Sequence, residues 1–264
     1  MDLGLQGKQA VVTGSTAGIG LAIACALVEE GARVIINGRT EARIAAALDS
    51  IRQRTKSADV RGIASDLGNS EGVARFIAQV PEADILVNNL GIFETKPFLE
   101  IPDSDWVRFF AVNVLSGVRL TRHFLPGMLR KNWGRVIFIS SESAQQIPPE
   151  MIHYGITKTA QVALARGLAE LVAGTGVTVN SVLPGPTSSE GATAFVHDVA
   201  RRQGVSPAEI EKQFFATVRP SSLLKRFETP EEVAAVVAFV ASEQGAIING
   251  AAVRAEGGII RSIL

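Results

Sequence analysis

Short β-branched runs alternate with helix-length amphipathic stretches along almost the whole chain, and no other feature limits the fold as much. "QAVVT" (9–13), "RVIIN" (33–37), "ADVRGIA" (58–64), "DILVN" (84–88), "RVIFIS" (135–140), "VTVNSVL" (177–183) and "AAVRAE" (251–256) read as strands. Several are apolar at consecutive positions, the pattern of a strand covered on both sheet faces. The stretches between them carry apolar residues at helical spacing, among them "GIGLAIACALVEEGA", "SEGVARFIAQV" and "ITKTAQVALARGLAELVAGTG". A single long helix is expected over 105–130 and another over 230–242. Strand–helix alternation of this kind predicts an α/β protein with a doubly wound parallel sheet of about seven strands and helices on both faces. No repeat or low-complexity linker interrupts it, so residues 1–264 read as one domain.

The pattern lapses once. Residues 187–225 contain no expected strand, and "SPAEIEKQFF" (206–215) supplies a helix opened by Ser206 and Pro207. Excursions of this length are often lids or binding loops, and this one is read as a substrate-binding lid. Phe195, Phe214 and Phe215 give it either an apolar inner face or a means of packing on the body.

Lysine plus arginine equals aspartate plus glutamate at 26 each, so no excess charge favours nucleic acid or an anionic membrane. The partner expected is a small molecule. Cys25 is the single cysteine, which excludes an internal disulfide and fits a reducing, cytoplasmic setting. The start carries no secretory pattern, and no apolar run approaches the ~20 residues that span a bilayer. His123, His153 and His197 are scattered without metal-ligand spacing, so no metal is expected; His153 is read as a rim or surface residue.

"TGSTAGIG" (13–20) lies between the first strand and the first helix. Gly14 permits a tight turn, Gly18 lets the backbone approach an anion, and Gly20 allows close helix–strand packing. A helix N-terminus there presents unpaired N–H groups to phosphate, so the loop reads as a dinucleotide site of a Rossmann-type sheet. At the end of the second strand, "INGRT" (36–40) has Gly38 where a carboxylate would take a ribose 2′-hydroxyl, followed by Arg39. A guanidinium suits a 2′-phosphate, so NADP(H) is favoured and NAD(H) is the second choice; Arg39 as a solvated turn residue is the plain alternative. Ala17 stands where many NADP-using proteins have a basic residue.

"YGITK" (154–158) holds the only tyrosine. Helical spacing puts Tyr154 and Lys158 side by side, where an ammonium favours the phenolate and makes the phenol a usable acid or base. Taken alone, such a pair is more often a decoration of a helix surface. Ser141, thirteen residues earlier at a strand end, falls where such sheets converge on a ligand and is suited to polarise a reacting oxygen. Ser140 and Ser143 offer the same chemistry. Ser141 is not in a G-x-S-x-G elbow, which argues against hydrolysis.

Taken together, TGxxxGIG, "NNLG" (88–91), Asn113, Ser141, the Tyr154/Lys158 pair and "PGPT" (184–187) resemble, in order and spacing, the classical short-chain dehydrogenase/reductase family over essentially the whole chain. The resemblance implies an oxidoreductase that moves a hydride between nicotinamide and a carbonyl or secondary alcohol. It selects Ser141 among the serines and implies a catalytic set of Asn113, Ser141, Tyr154 and Lys158, with Asn113 holding a water that links Lys158 to solvent. It also implies that Gly14, Ser15, Gly18, Ile19 and Gly20 cradle the dinucleotide, Asp66 and Leu67 meet the adenine, and Asn88 and Gly91 flank the ribose and nicotinamide. Pro184, Gly185 and Thr187 would border the nicotinamide, Ser189 would lie near the pyrophosphate, and Lys158 would grip the nicotinamide ribose alongside Tyr154. Leu90 departs from the family's usual alanine.

Substrate contacts are expected from Ser141, Ser143, Tyr154 and Pro186, with Glu142, Ile147 and His153 as further walls. The resemblance also implies a homo-oligomer, tetramer or dimer, sharing the helices around 104–131 and 152–173, with "IIRSIL" (259–264) as a further contact. A catalytically silent nucleotide-binding regulator or scaffold of the same fold is the competing reading.

Overall fold

The computed structural model describes residues 2–263, excluding the side chains of residues 191, 192, 194 and 195. Strands β1 (Gln9–Val12), β2 (Arg33–Gly38), β3 (Val60–Ala64), β4 (Ile85–Asn88), β5 (Gly134–Ile139), β6 (Val177–Pro184) and β7 (Ala252–Ala255) form one parallel sheet in the order β3-β2-β1-β4-β5-β6-β7. Alternate strand residues feed two cores, which explains the unbroken apolar runs. Ala10, Val12, Val34, Ile36 and Val87 face α1 (Gly18–Glu29), α2 (Glu41–Arg54) and α9 (Pro230–Ala241). Val11, Ile35, Leu86, Val136 and Phe138 face α3 (Ser70–Gln79), α5 (Ser116–Lys131) and α6 (Ile152–Leu171). The chain winds outward from β1 to β3 and then crosses to β4 beside β1. Their carboxyl ends therefore open the crevice where such sheets bind ligands.

Helix starts follow local chemistry. Thr40 caps α2, Asn69 caps α3, and Thr229 with Glu232 forms a reciprocal capping box ahead of Pro230. Ser206 caps α8 (Pro207–Thr217) with Pro207 in its first turn, as expected. Two features depart from expectation. The long helix across 105–130 is interrupted: α4 (Asp103–Phe110) passes through a π-helical turn at Ala111–Leu115 into α5. The 187–225 segment carries an additional helix, α7 (Glu190–Gln203), whose first turn holds Gly191 and Thr193, weak helix formers that mask it locally.

Phe214 and Phe215 of this segment pack on one another and on a residue just beyond it. Phe214 and Phe215 form a cluster with Phe227 at centroid separations of 5.0–5.2 Å, and Phe215 is buried. The side chain of Phe195 lies outside the described residues. The tail is only partly an outer surface. Ile259 and Ile260 are buried in this chain and cannot serve another subunit, whereas Ile263 is exposed. No helix among the described residues is long and apolar enough to cross a membrane.

Candidate active site

The glycine loop is shaped by backbone conformation and fixed by neutral side chains from neighbouring strands. Gly14 and Gly18 have φ of 58° and 55°, which favours glycine. A Cβ on Gly20 would come within 2.4 Å of Asn89 Nδ2 and 2.5 Å of the Gly14 carbonyl. Asn89 Nδ2 donates to the carbonyls of Thr13 and Gly14, each at 3.0 Å, while Thr13 Oγ1 accepts from the main-chain N–H groups of Asn89 and Leu90. Asn37 accepts from Gly14 N–H and donates to main-chain carbonyls at the end of β3. Ser15 is fully buried, its hydroxyl spent on Val12 and Asn37, so only its backbone can meet a ligand.

At the N-terminus of α1, Ala17 provides no side-chain cap. Its leading N–H groups therefore suit an anion, and a Cβ on Gly18 would point at Ser189 across the opening. A glycine loop that side chains would obstruct and a helix start whose leading N–H groups have no side-chain cap fit a pyrophosphate. Among the other expected contacts, Asp66 is exposed and spends its carboxylate on Gly68 N–H and Asn69. Leu67 belongs to the core, which leaves only its backbone for an adenine. Asn88 reaches Thr121, and its buried Oδ1 has no partner among the described residues. A Cβ on Gly38 would lie 2.4 Å from the Thr16 side chain, and Arg39 is exposed beside it.

The second bank forms where β5 ends and α6 begins. A Cβ on Gly155 would lie 2.7 Å from Ile147 and 3.1 Å from the Ser143 carbonyl, so a residue without a side chain lets α6 press on the single turn Glu142–Ala144. Thr159 bonds the Ala144 carbonyl and Ser140 bonds the Lys158 carbonyl, which closes the same seam. These contacts bring Ser141, Tyr154 and Lys158 together. The half-buried ring of Tyr154 lies 6.4 Å edge-on from Phe93, and Lys158 Nζ is 5.6 Å from its centroid. Ser143 is buried, its N–H donating to Ser141 Oγ and Glu142.

The electrostatics correct one expectation. Burial and the Glu142 carboxylate push the Tyr154 phenol well above its ordinary value, against the smaller pulls of Ser141 and Arg219. The Lys158 ammonium does not lower it. Burial brings Lys158 itself down to about 7, and its Nζ is occupied by the Ile139 carbonyl at 2.9 Å and Gln161 Oε1 at 3.2 Å. The side chain of Asn113, in the π-helical turn, is spent on the Ile92 backbone and on Thr157 Oγ1.

Local sequence pattern carries no sign of several neighbours. Arg219, just beyond α8, pairs with buried Glu142 at 3.0 Å, and the other Glu142 oxygen takes the Ser141 hydroxyl. The partners are 77 residues apart, so only packing joins the region beyond α8 to the serine. Behind "PGPT", Glu228 accepts from Gly185 N–H at 3.1 Å, and burial raises it to about 7. Pro186 accepts from Glu228 N–H, and Thr187 is tied to the Gly185 carbonyl, so Glu228 holds this border from beneath. His153 corrects another expectation. It is fully buried against Phe109, centroids 4.1 Å apart, because α4 packs over the start of α6; burial lowers its pKa and keeps the ring neutral.

A family model described as short chain dehydrogenase matches residues 8–200. The chain is 49% identical over 263 residues to the uncharacterized oxidoreductase YvaG of Bacillus subtilis (strain 168), with all of both proteins covered. It is 34% identical to a D-beta-hydroxybutyrate dehydrogenase of Cupriavidus necator, covering 96% of this chain and 98% of that one. Among solved structures, the L-sorbose reductase of Gluconobacter frateurii, complexed with NADPH and L-sorbose, superposes over the full length of both chains with a TM-score of 0.94 at 30% identity.

Proposed function

The chain belongs to the short-chain dehydrogenase/reductase family and is an oxidoreductase of CH–OH and C=O groups, and from that premise we propose an NADP(H)-dependent reductase or dehydrogenase of small carbonyl compounds and secondary alcohols. The observation that carries the reading is the meeting of Ser141, Tyr154 and Lys158 at the carboxyl end of β5, across the crevice from an anion-ready glycine loop.

A bound nicotinamide dinucleotide supplies the hydride donor or acceptor; the backbone at Gly14–Gly20 would hold its phosphates, and Gly91, Pro184, Gly185 and Thr187 would border its reactive end. Tyr154 gives its phenolic proton to the carbonyl oxygen in reduction and takes it back in oxidation. A phenol held above its ordinary pKa is protonated throughout the neutral range, the state in which it acts as an acid. Ser141 turns its hydroxyl from Glu142 to the reacting oxygen and orients it. Lys158, drawn down to about 7 by burial, stands beside Tyr154 and would grip the nicotinamide ribose.

Arg39 is exposed beside Gly38, which carries no carboxylate, and this supports a 2′-phosphate over a free 2′-hydroxyl. The NADPH-bound L-sorbose reductase supports the same choice and a small hydroxylated substrate. Residues 187–225, with α7 and α8, serve as the lid over that substrate. Exposed Val107, Leu115 and Leu171 on or beside α4, α5 and α6 support a homo-oligomer, dimer or tetramer; the single cysteine supports a reducing, cytoplasmic setting, and the even charge balance supports a small-molecule partner over nucleic acid or membrane.

The test is a panel of ketones, hydroxyketones and secondary alcohols followed at the nicotinamide absorbance with NADP(H) and NAD(H), on the natural protein and Arg39→Ala. Turnover with NADP(H) is expected, with about tenfold weaker NADP(H) binding in the variant and unchanged NAD(H) binding, as for one lost charged hydrogen bond. Absence of turnover despite tight cofactor binding would return the protein to the silent-regulator reading.

A further inference from the structure

Gln161 follows Lys158 by three residues on α6 and so shares its helix face. It is 1% exposed, and both ends of its amide are used. Nε2 donates to the main-chain carbonyl of Asn113 at 2.6 Å, and Oε1 accepts from Lys158 Nζ at 3.2 Å. The partners dictate the orientation of the amide: a carbonyl oxygen only accepts and an ammonium only donates. Burying a primary amide is costly unless its hydrogen bonds are made, and here they are made to two members of the expected catalytic set.

The Lys158 ammonium has three protons. The Ile139 carbonyl takes one and Gln161 Oε1 another. The remaining proton is left for the cleft side, where Nζ lies 3.4 Å from the site of a Cβ on exposed Gly91. The Asn113 carbonyl comes from the π-helical turn, where the ordinary helical ladder is loosened and a side-chain donor can insert.

We infer that Gln161 is a positioning residue of the proton-handling site: it ties the Lys158 ammonium directly to the Asn113 carbonyl and aims its free N–H at the cleft. The family resemblance implies a water held by Asn113 between Lys158 and solvent; in this chain the Gln161 side chain makes a direct connection between Lys158 and Asn113. The inference rests on the proposed hydride transfer at the same site.

Charged groups near Lys158 are few. Tyr154 lies on its own helix, Glu142 on the turn after β5, and Arg219 behind Glu142. Glu94, Lys96, Asp105 and Arg108, from α4 and the loop before it, act on His153, whereas burial is what governs Lys158. A carboxylate at 161 would therefore be a strong new influence on the ammonium.

The test is a pH titration of Lys158 by NMR in the cofactor-free protein, using carbon-labelled lysine, for the natural chain, Gln161→Glu and Gln161→Leu. Gln161→Glu is expected to raise the Lys158 midpoint and Gln161→Leu to lower it, each by about one pH unit, because one adds a facing charge and the other removes the acceptor. With a turned-over substrate, the matching limb of the rate profile moves the same way. Gln161→Leu then loses about tenfold in kcat with KM changed by less than about twofold, the pattern of a lost transition-state interaction. The titration needs no turnover, so failure of this inference is distinguishable from failure of the proposed reaction. Two folded variants with the natural midpoint would overturn it. If Gln161→Leu does not fold, the Gln161 side-chain amide signal of the natural chain decides: it must shift as Lys158 titrates, and a flat signal overturns the inference.

Discussion

The two banks of the cleft are built from different materials. The glycine-loop bank is neutral: Thr13, Asn37 and Asn89 hold a backbone whose positive-φ glycines set its shape. The opposite bank buries charge: Lys158 is drawn down to about 7, Glu228 up to about 7, and Glu142 is locked to Arg219. One bank is designed around shape and the other around protonation. Substitutions on the first should act through volume and cofactor affinity, and substitutions on the second through rate and pH.

The largest expected effect lies on the charged bank. Tyr154→Phe should lower kcat on the order of 10³-fold, within the range for a lost general acid, while cofactor Kd by titration calorimetry stays within about twofold. A matching loss of cofactor affinity would erase the division between the banks.

Gly20→Ala comes next. Its Cβ would collide with Asn89 Nδ2 and the Gly14 carbonyl, so the loop must shift. Cofactor affinity should fall about tenfold, and urea unfolding should show a loss of about 1–3 kcal/mol, as for overpacking elsewhere. The pH dependence of the residual activity should be unchanged, and a moved profile would show that the loop also sets protonation.

Glu228→Gln should give the smallest change and sharpen the comparison most. A carboxyl group whose folded pKa is raised to about 7 contributes stability below its ordinary value of 4.5, and that contribution disappears as pH rises through 7. The amide can still accept from Gly185 N–H but does not titrate. Scanning calorimetry should show equal Tm near pH 4 and a variant about 2–4 °C more stable at pH 8, roughly the effect of 1 kcal/mol in a chain of this size. Parallel Tm curves would remove Glu228 from the set of buried titrating groups.

Much of this division is visible in the chain itself. The unbroken apolar strands, the positions of Gly14, Gly18 and Gly20, and the four-residue step from Tyr154 to Lys158 are local patterns that directly reflect backbone conformation. Gly155 has a local sign only in hindsight, because its use depends on Ile147 and the Ser143 carbonyl meeting α6. His153 looks like a polar rim residue in sequence and is a core residue in space, since α4 covers it. The π-helical turn is equally silent, as its residues "AVNVL" are ordinary for a helix.

The sequence by itself determined the sheet, the two-faced core, the anion-ready helix start and the residues able to move a proton, because periodicity, glycine conformation and helical spacing act over a few residues. Tertiary structure alone decided which groups hold those residues and in what charge state. Asn89 reaches Thr13 across 76 residues, Arg219 reaches Glu142 across 77, and Gln161 reaches the Asn113 carbonyl across 48. Desolvation depends on everything packed around a group, so whether Lys158 is a cation at neutral pH depends on the assembled cleft and not on the five residues from Tyr154 to Lys158.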